Sequence, residues 1–336
     1  MKIGAGIVVG MKDIRWIPIA LSFLLATGGT ALAWAQEGHA AVAALAAELI
    51  SPKTRTKIQD LLATGGDKDL VSVASWADAV LMAAHDEGPL HGDEEAMAFN
   101  RKFPKSGMWH FVNLPLGATS YQQVTRFDGP DNIVHAISRC IEVLEAPSST
   151  PEDLTKLQAL RLLVHFVGDI HQPLHCGTGF YTFSESGSPQ LDIEPESAFG
   201  KANDRGGNLL YYGANAIQQL HALWDKILVE EVSDSFDYRV LTEFLRKFYL
   251  PKEFGRTPGD YHEWAKLWAI DSVRIAALAY RGISFGNVEF GADGGLYRIE
   301  ISLQPGYQES NKARAALQLA KAGVHLAQLL DSINWQ

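Results

Sequence analysis

Apolar residues recur at i, i+3 and i+4 over residues 40–50, 70–84, 133–144, 151–167, 213–229, 235–248, 261–280 and 311–333, the spacing of helices with one buried face. Ser51-Pro52 marks the end of the first, and Ala146-Pro147-Ser148-Ser149-Thr150-Pro151 separates two others. Strand-like material is confined to 286–298, a hairpin around Asp293-Gly294-Gly295. Segment 177–203, polar and rich in Ser and Gly, predicts a surface loop. No repeat, low-complexity tract or interdomain linker interrupts the pattern. The expectation is all-α: a single compact multi-helix domain with at most a small β-hairpin.

The first 33 residues stand apart. Lys12 and Arg15 precede an apolar stretch over 17–26, and Ala31-Leu32-Ala33 forms an A-x-A cleavage signature. Met11 offers an alternative start that gives a more typical leader. We therefore expect a signal peptide over 1–33 and a functional domain over 34–336, beginning Trp34-Ala35-Gln36-Glu37-Gly38-His39. The apolar run is too short to read as a membrane span. A cleaved leader implies a secreted or periplasmic protein with no membrane attachment.

Removing 33 of the 336 residues leaves 303, enough for one large domain and a substantial core. The leader takes three of the 29 basic residues and one of the 39 acidic ones, leaving a net charge of −12. So acidic a chain does not attract phosphates through its overall field; a phosphate-bearing substrate needs local cations, and metal ions are the candidates. Export permits a disulfide between Cys140 and Cys176, the only two cysteines, but we read both as free thiols.

Five stretches carry metal-ligating side chains. A freed Trp34 α-amine has a pKa of about 7.7–8.0, low enough to ligate a cation, and its carbonyl can close a chelate while His39 adds an imidazole. Ser75-Trp76-Ala77-Asp78 lies on a predicted helix, and Met108-Trp109-His110-Phe111-Val112-Asn113 follows. Then come His165-Phe166-Val167-Gly168-Asp169-Ile170-His171-Gln172-Pro173-Leu174-His175 and His221-Ala222-Leu223-Trp224-Asp225. His165/Asp169 and His221/Asp225 are i, i+4 pairs, so each presents an imidazole and a carboxylate from one helix face. Pro173 should end its helix and turn His175 elsewhere. Imidazole with carboxylate and no thiolate suits catalytic zinc with open positions, not the closed Cys-rich shell of structural zinc. Singly, such a His–Asp pair is usually a salt bridge, and Trp76, Trp109 and Trp224 are usually core. Five elements together with a cleavage site before Trp34 are not a coincidental set.

These elements, in this order, resemble the zinc-dependent single-strand-specific nuclease family (mung-bean type, the S-one/P-one nucleases), in a bacterial-type form. The likeness includes Asp204-x-Gly206-Gly207-Asn208, Trp268-Ala269-x-Asp271-Ser272 and Gln318-Leu319-x-x-Ala322-Gly323-x-x-Leu326-Ala327. It extends more loosely to the bacterial zinc phospholipases C. The resemblance implies an all-α fold with a trinuclear zinc cleft, Zn2+ being bound at three sites per chain. One ion is expected on Asp78, His110, His165 and Asp169. A second is expected on the Trp34 amine and carbonyl, His39 and Asp169, whose carboxylate bridges the pair. The third is expected on His175, His221 and Asp225. It further implies hydrolysis of single-stranded DNA and RNA to 5′-phosphate products, with 3′-nucleotidase activity, by a monomer with no stable protein partner. Asp78 and Asp169 then position the attacking hydroxide, and Phe111, Asn113 and Asn208 contact substrate. Phe111 could equally be core, and Asn113 a turn-stabilising side chain.

Three departures from the family pattern stand out. Leu81 occupies a position where the family commonly has Lys or Arg, the loop after His175 is long, and Cys176 opens it. The competing readings are a zinc phospholipase C of the same fold, disfavoured by the Trp-His-Phe-x-Asn and Gly-Gly-Asn elements, and a non-catalytic secreted zinc-binding protein.

Overall fold

Helix α1 (Gln36–Leu49) begins two residues after Trp34 and is buried along most of its length. Ser51-Pro52 both ends it and starts its neighbour. Ile50 is extended, the Ser51 hydroxyl accepts the Thr54 amide, and Pro52 takes the first position of α2 (Pro52–Ala63). Helix α2 escapes the hydrophobic pattern because it buries only Thr54, Ile58 and Leu62. The computed structural model describes residues 34–148, 150, 153–250, 256–292 and 294–336. The expected leader and its cleavage triplet lie outside the described residues.

The helix expected over 70–84 is two, α3 (Leu70–Val73) and α4 (Trp76–Ala83). The break at Ala74 and Ser75 releases the Ala74 carbonyl from the helical ladder, and the imidazole of His165 takes it up at 2.8 Å. Helix α5 (Glu94–Lys102) is capped by Asp93 and buries only Ala96 and Phe99, so it leaves little periodic signal. A 3₁₀ turn at Ser106–His110 leads to the short strand β1 (Leu114–Pro115). Helices α6 (Ile133–Glu145) and α7 (Lys156–Ile170) follow, capped by Asn132 and Thr155. Along α7, every residue from 159 to 170 is buried. Pro173 acts as expected: α7 stops at Ile170, and Pro173 opens the single turn α8 (Pro173–Cys176).

Segment 177–203 is not the surface loop its composition suggests. Strand β2 (Gly177–Thr178) pairs in parallel with β1, while β3 (Phe180–Phe183) pairs antiparallel with β4 (Pro189–Asp192) and with β5 (Ala202–Asn203). A turn of helix, α9 (Pro195–Ala198), lies between β4 and β5. Ladder hydrogen bonds are made by backbone, so Ser and Gly tolerate them without an apolar alternation to announce them. The helix expected over 213–229 is also corrected. β6 (Leu210–Tyr212) and β7 (Gln218–Gln219) enclose a turn in which Gly213, Asn215 and Ala216 have φ of 85°, 65° and 46°. Helix begins only at α10 (Leu220–Ala222), continues through a π-helical turn at Leu223–Ile227, and ends in α11 (Leu228–Ser233).

The C-terminal third matches the periodicity: α12 (Tyr238–Phe248), α13 (Trp264–Arg281) and α14 (Tyr307–Ser332), with the hairpin β8 (Ile283–Phe290) and β9 (Leu296–Leu303). The hairpin extends beyond 286–298 and joins a sheet ordered β7-β6-β9-β8, with β6 parallel to β9. Helices α1, α4, α6, α13 and α14 surround α7. Gly323 lets α14 approach α1 closely, since a Cβ there would stand 2.7 Å from the Leu45 Cβ. Among the described residues the domain is all-α in its core, with three small sheets attached.

Candidate metal centre

Helix α7 is the axis of the site. His165 and Asp169 stand one turn apart on it, both buried, with His165 Nε2 3.2 Å from Asp169 Oδ2. Because the Ala74 carbonyl takes the Nδ1–H of His165, Nε2 is the nitrogen that faces inward. Asp78 from α4 and His110 from the 3₁₀ turn complete the group. His165 Nε2 is 3.4 Å from Asp78 Oδ1, and His110 Nδ1 is 3.0 Å from Asp169 Oδ2 and 3.6 Å from Asp78 Oδ1.

His39 approaches Asp169 from the other side, its Nε2 3.2 Å from Oδ1. Its ring stacks on that of His165, with centroids 3.9 Å apart and planes 17° from parallel. Gly168 makes this possible, because a Cβ there would stand 2.7 Å from His39 Nδ1. One oxygen of Asp169 thus faces His39 and the other faces His110 and His165.

The remaining three residues form a second centre. His221 Nε2 lies 3.3 Å from Asp225 Oδ2, and His175 Nε2 lies 3.9 Å from Asp225 Oδ1. Both rings donate Nδ1–H to backbone carbonyls, His175 to His110 at 2.7 Å and His221 to Gly206 at 2.7 Å, so both turn Nε2 inward. Gln172, fully buried, donates to Asp225 Oδ1 at 2.6 Å and accepts the Leu174 amide at 2.6 Å. It leaves Asp225 Oδ2 open.

The structure therefore brings the eight expected His and Asp residues into three groups, His39/His165/Asp169, Asp78/His110/His165 and His175/His221/Asp225, in each of which one nitrogen or oxygen atom per residue lies within 4.8 Å of the others. Trp34 joins them. Its fully buried indole donates to the Gly168 carbonyl at 2.9 Å, and the next amide, Ala35, donates to the Asp225 carbonyl at 2.7 Å.

The donor set is short of positive charge. Buried and without a hydrogen-bond partner among the described residues are both nitrogens of His39, Asp169 Oδ1, His175 Nε2 and Asp225 Oδ2. Leaving such an atom unpaired costs about 1–3 kcal/mol. Lone pairs and carboxylate oxygens clustered in this way fit divalent cations. The proton affinities agree. Burial pushes the Asp225 carboxyl well up, and the Gln172 amide offsets only part of that. Burial also drives the His221 imidazole down to about 3 and lowers those of His175 and His39, which keeps them neutral and able to ligate. Around α7 the balance differs. Burial opposes charge on Asp169 and His165, but their mutual attraction, with help from His110 and His39 on one side and Asp78 on the other, holds the carboxyl well below its usual range and the imidazole well above.

The expected substrate contacts border the second centre. The backbone between Phe111 and Asn113 is tied to it, since the Val112 amide donates to the His175 carbonyl at 2.8 Å. Phe111 is half-buried. Asn113 accepts the Thr178 hydroxyl at 2.8 Å, and Asn208 donates to the Arg205 carbonyl at 2.9 Å on the turn that holds His221. Leu81 covers Gly107 in the turn bearing His110, where a Cβ would meet it at 3.1 Å. Trp109 and Trp224 are core, and Trp76 is half-buried against Phe99 and the Arg161 guanidinium. Cys140 and Cys176 are free and buried, as expected, and burial raises both thiols. Sequence reasoning missed Gln172, Gly168 and the Ala74 and Gly206 carbonyls. Only Gln172 left a trace, as an amide between two histidines in an otherwise buried run.

Comparison with known proteins agrees with this geometry. The chain is 24% identical to Nuclease S1 of Aspergillus oryzae over 337 residues, covering 96% of this chain and 99% of that one. It is 23% identical to Nuclease P1 of Penicillium citrinum over 322 residues, 90% of this chain and 98% of that one. It is likewise 23% identical to Endonuclease 4 of Arabidopsis thaliana over 329 residues, 90% of each. Residues 34–334 match the S1/P1 Nuclease family, and with its core fold and clustered His and Asp residues the chain belongs to that family of nucleases.

Proposed function

We propose that the chain, cut after Ala33, binds three zinc ions and hydrolyses phosphodiesters in single-stranded DNA and RNA to 5′-phosphate products, with 3′-nucleotidase activity at the same site. The observation that carries this reading is Asp169, whose two oxygens face different imidazoles as a bridging carboxylate must. Asp78, His110, His165 and Asp169 would hold one ion, and the Trp34 amine and carbonyl, His39 and Asp169 a second. His175, His221 and Asp225 would hold the third. Bound zinc lowers the pKa of water to about 7 and offsets phosphate charge, so no protonated side chain is needed as acid. Asp78 and Asp169 would position the attacking hydroxide. Phe111 offers a face for a base, and the Asn113 amide and Asn208 offer polar atoms for its edge. Single strands are favoured because a base must leave its stack to reach such a site. All the ligands come from one chain, so a monomer suffices. No helix among the described residues is long and apolar enough to cross a membrane, and the leader directs the protein to the periplasm or the medium.

Elemental analysis of mature protein prepared without chelator should find about three zinc ions per chain. Single-stranded DNA and RNA, but not phosphatidylcholine, should be cleaved. One zinc or none, or lipid turnover without DNA turnover, overturns the reading. Chelation should lower the melting temperature markedly, because the ligands tie together α1, α4, α7, α8 and the turn before α11.

Leu81 supplies a further expectation. With no cation at that position and a net charge of −12 after cleavage, long-range attraction to nucleic acid is weak, and binding rests on short-range contacts. Activity should fall less steeply with salt than for a protein that neutralises many phosphates. Leu81→Lys should lower KM for single-stranded DNA, and Phe111→Ala should raise it by an equivalent of about 1–3 kcal/mol. A steep salt dependence, or an unchanged KM in Phe111→Ala, points instead to a basic groove elsewhere.

A further inference from the structure

We propose that Asp204 is a positioning residue for the third zinc site, holding the turn that orients His221. The inference rests on the three-ion reading above. Asp204 is fully buried, and its carboxylate collects four donors: the amides of Gly179 at 3.2 Å and Gly207 at 3.0 Å, and the hydroxyls of Tyr181 at 2.6 Å and Tyr280 at 2.9 Å. Gly179 precedes β3 and Asp204 follows β5, so this one group ties the neck of segment 180–203.

What the carboxylate anchors is unusual backbone. Arg205, Gly206 and Gly207 are consecutive left-handed residues, with φ of 57°, 62° and 81°. An arginine in this region is held there at a cost, so the surroundings must enforce it. Gly206 is pressed so close to α8 that a Cβ would stand 2.1 Å from the Leu174 carbonyl oxygen, one residue before His175. The Gly206 carbonyl, projecting from this turn, accepts the Nδ1–H of His221 and leaves Nε2 facing Asp225. Asp204 touches no ligand, yet its bond to the Gly207 amide holds the peptide that sets the tautomer and direction of His221.

Burial disfavours the negative charge, pushing the Asp204 carboxyl up to about 6 against the pull of its four donors. An asparagine could keep both backbone amides on its oxygen and turn its amide toward the phenol oxygens. This makes a discriminating pair of variants. In Asp204→Ala the turn loses its anchor, and third-site zinc affinity should drop about 10–100-fold, the usual effect of removing a partner behind a ligand. Asp204→Asn should restore it.

The test is zinc titration of mature protein against a chromophoric chelator, with the melting temperature recorded for each variant. Wild type and Asp204→Asn should bind about three ions. Asp204→Ala should hold two tightly and the third weakly, while the two ions shared through Asp169 are retained. Tyr181→Phe/Tyr280→Phe, which removes two donors and keeps the carboxylate, should weaken the same ion and answers the question if Asp204→Ala does not fold. Wild-type affinity for the third ion in Asp204→Ala or in the double Phe variant overturns the proposal, as does an Asp204→Asn variant no better than alanine. Fewer than three ions in the wild type overturns the underlying three-ion reading instead.

Discussion

Asp169→Asn should reduce turnover of single-stranded DNA by about 10³-fold or more, equivalent to roughly 4 kcal/mol of barrier, and by more than His175→Ala. The carboxylate is fully buried on α7, with one oxygen toward His39 and the other toward His110 and His165. Asparagine keeps the shape but presents an oxygen to only one side. Its amide turns N–H toward imidazole nitrogens or toward a cation, and the negative charge that the proposed pair of ions would share disappears. His175→Ala, by contrast, removes one ligand from one centre and leaves the Asp169 pair untouched. Steady-state kinetics should be paired with zinc content, so that lost metal is separated from a misplaced nucleophile. A variant as active as wild type excludes bridging by Asp169.

The second large effect would come from the α-amine that the proposed cleavage after Ala33 creates at Trp34. Before cleavage the Trp34 nitrogen is a peptide amide, with no lone pair to give a cation. After cleavage it is an amine with a pKa of about 7.7–8.0. The residue is already fixed from both sides, by its indole on the Gly168 carbonyl and by the Ala35 amide on the Asp225 carbonyl. Mature protein beginning at Trp34 should therefore outperform protein retaining Ala33 by about 10²-fold in turnover. The extended form should bind one zinc about 10–100-fold more weakly. N-terminal sequencing of each preparation identifies the form assayed. Equal activity and equal zinc affinity would mean that Trp34 is only a packing residue.

The parts of the site legible in the sequence are those that helical spacing brings together. His165 and Asp169 share a face because four residues make about one turn, and Pro173 announces the bend that separates His175. His221 and Asp225 also converge, although the segment between them is π-helical rather than regular helix. The illegible parts depend on backbone. No Gly or Pro marks the interruption between α3 and α4, yet it frees the carbonyl that orients His165. Likewise, the polar run over 177–203 hides a three-stranded sheet, because its order is stored in ladder hydrogen bonds and in the Asp204 cluster, not in apolar periodicity. Helices α2 and α5 bury two or three residues each, too few to register as a stripe.

The bond from the Ala35 amide to the Asp225 carbonyl has a consequence for biosynthesis. The ribosome releases the segment at Trp34 and Ala35 early, but the Asp225 carbonyl that receives the Ala35 amide is in the last of the ligand-bearing segments to emerge. Two of the three donor clusters are complete in sequence once Asp169 has been made, whereas the third waits for Asp225. Such long-range closure slows folding. A nascent chain interrupted between those two residues carries a docking site for the Trp34 indole but no anchor for the peptide after it. The order of synthesis thus keeps the third donor cluster incomplete until more than half of the chain exists.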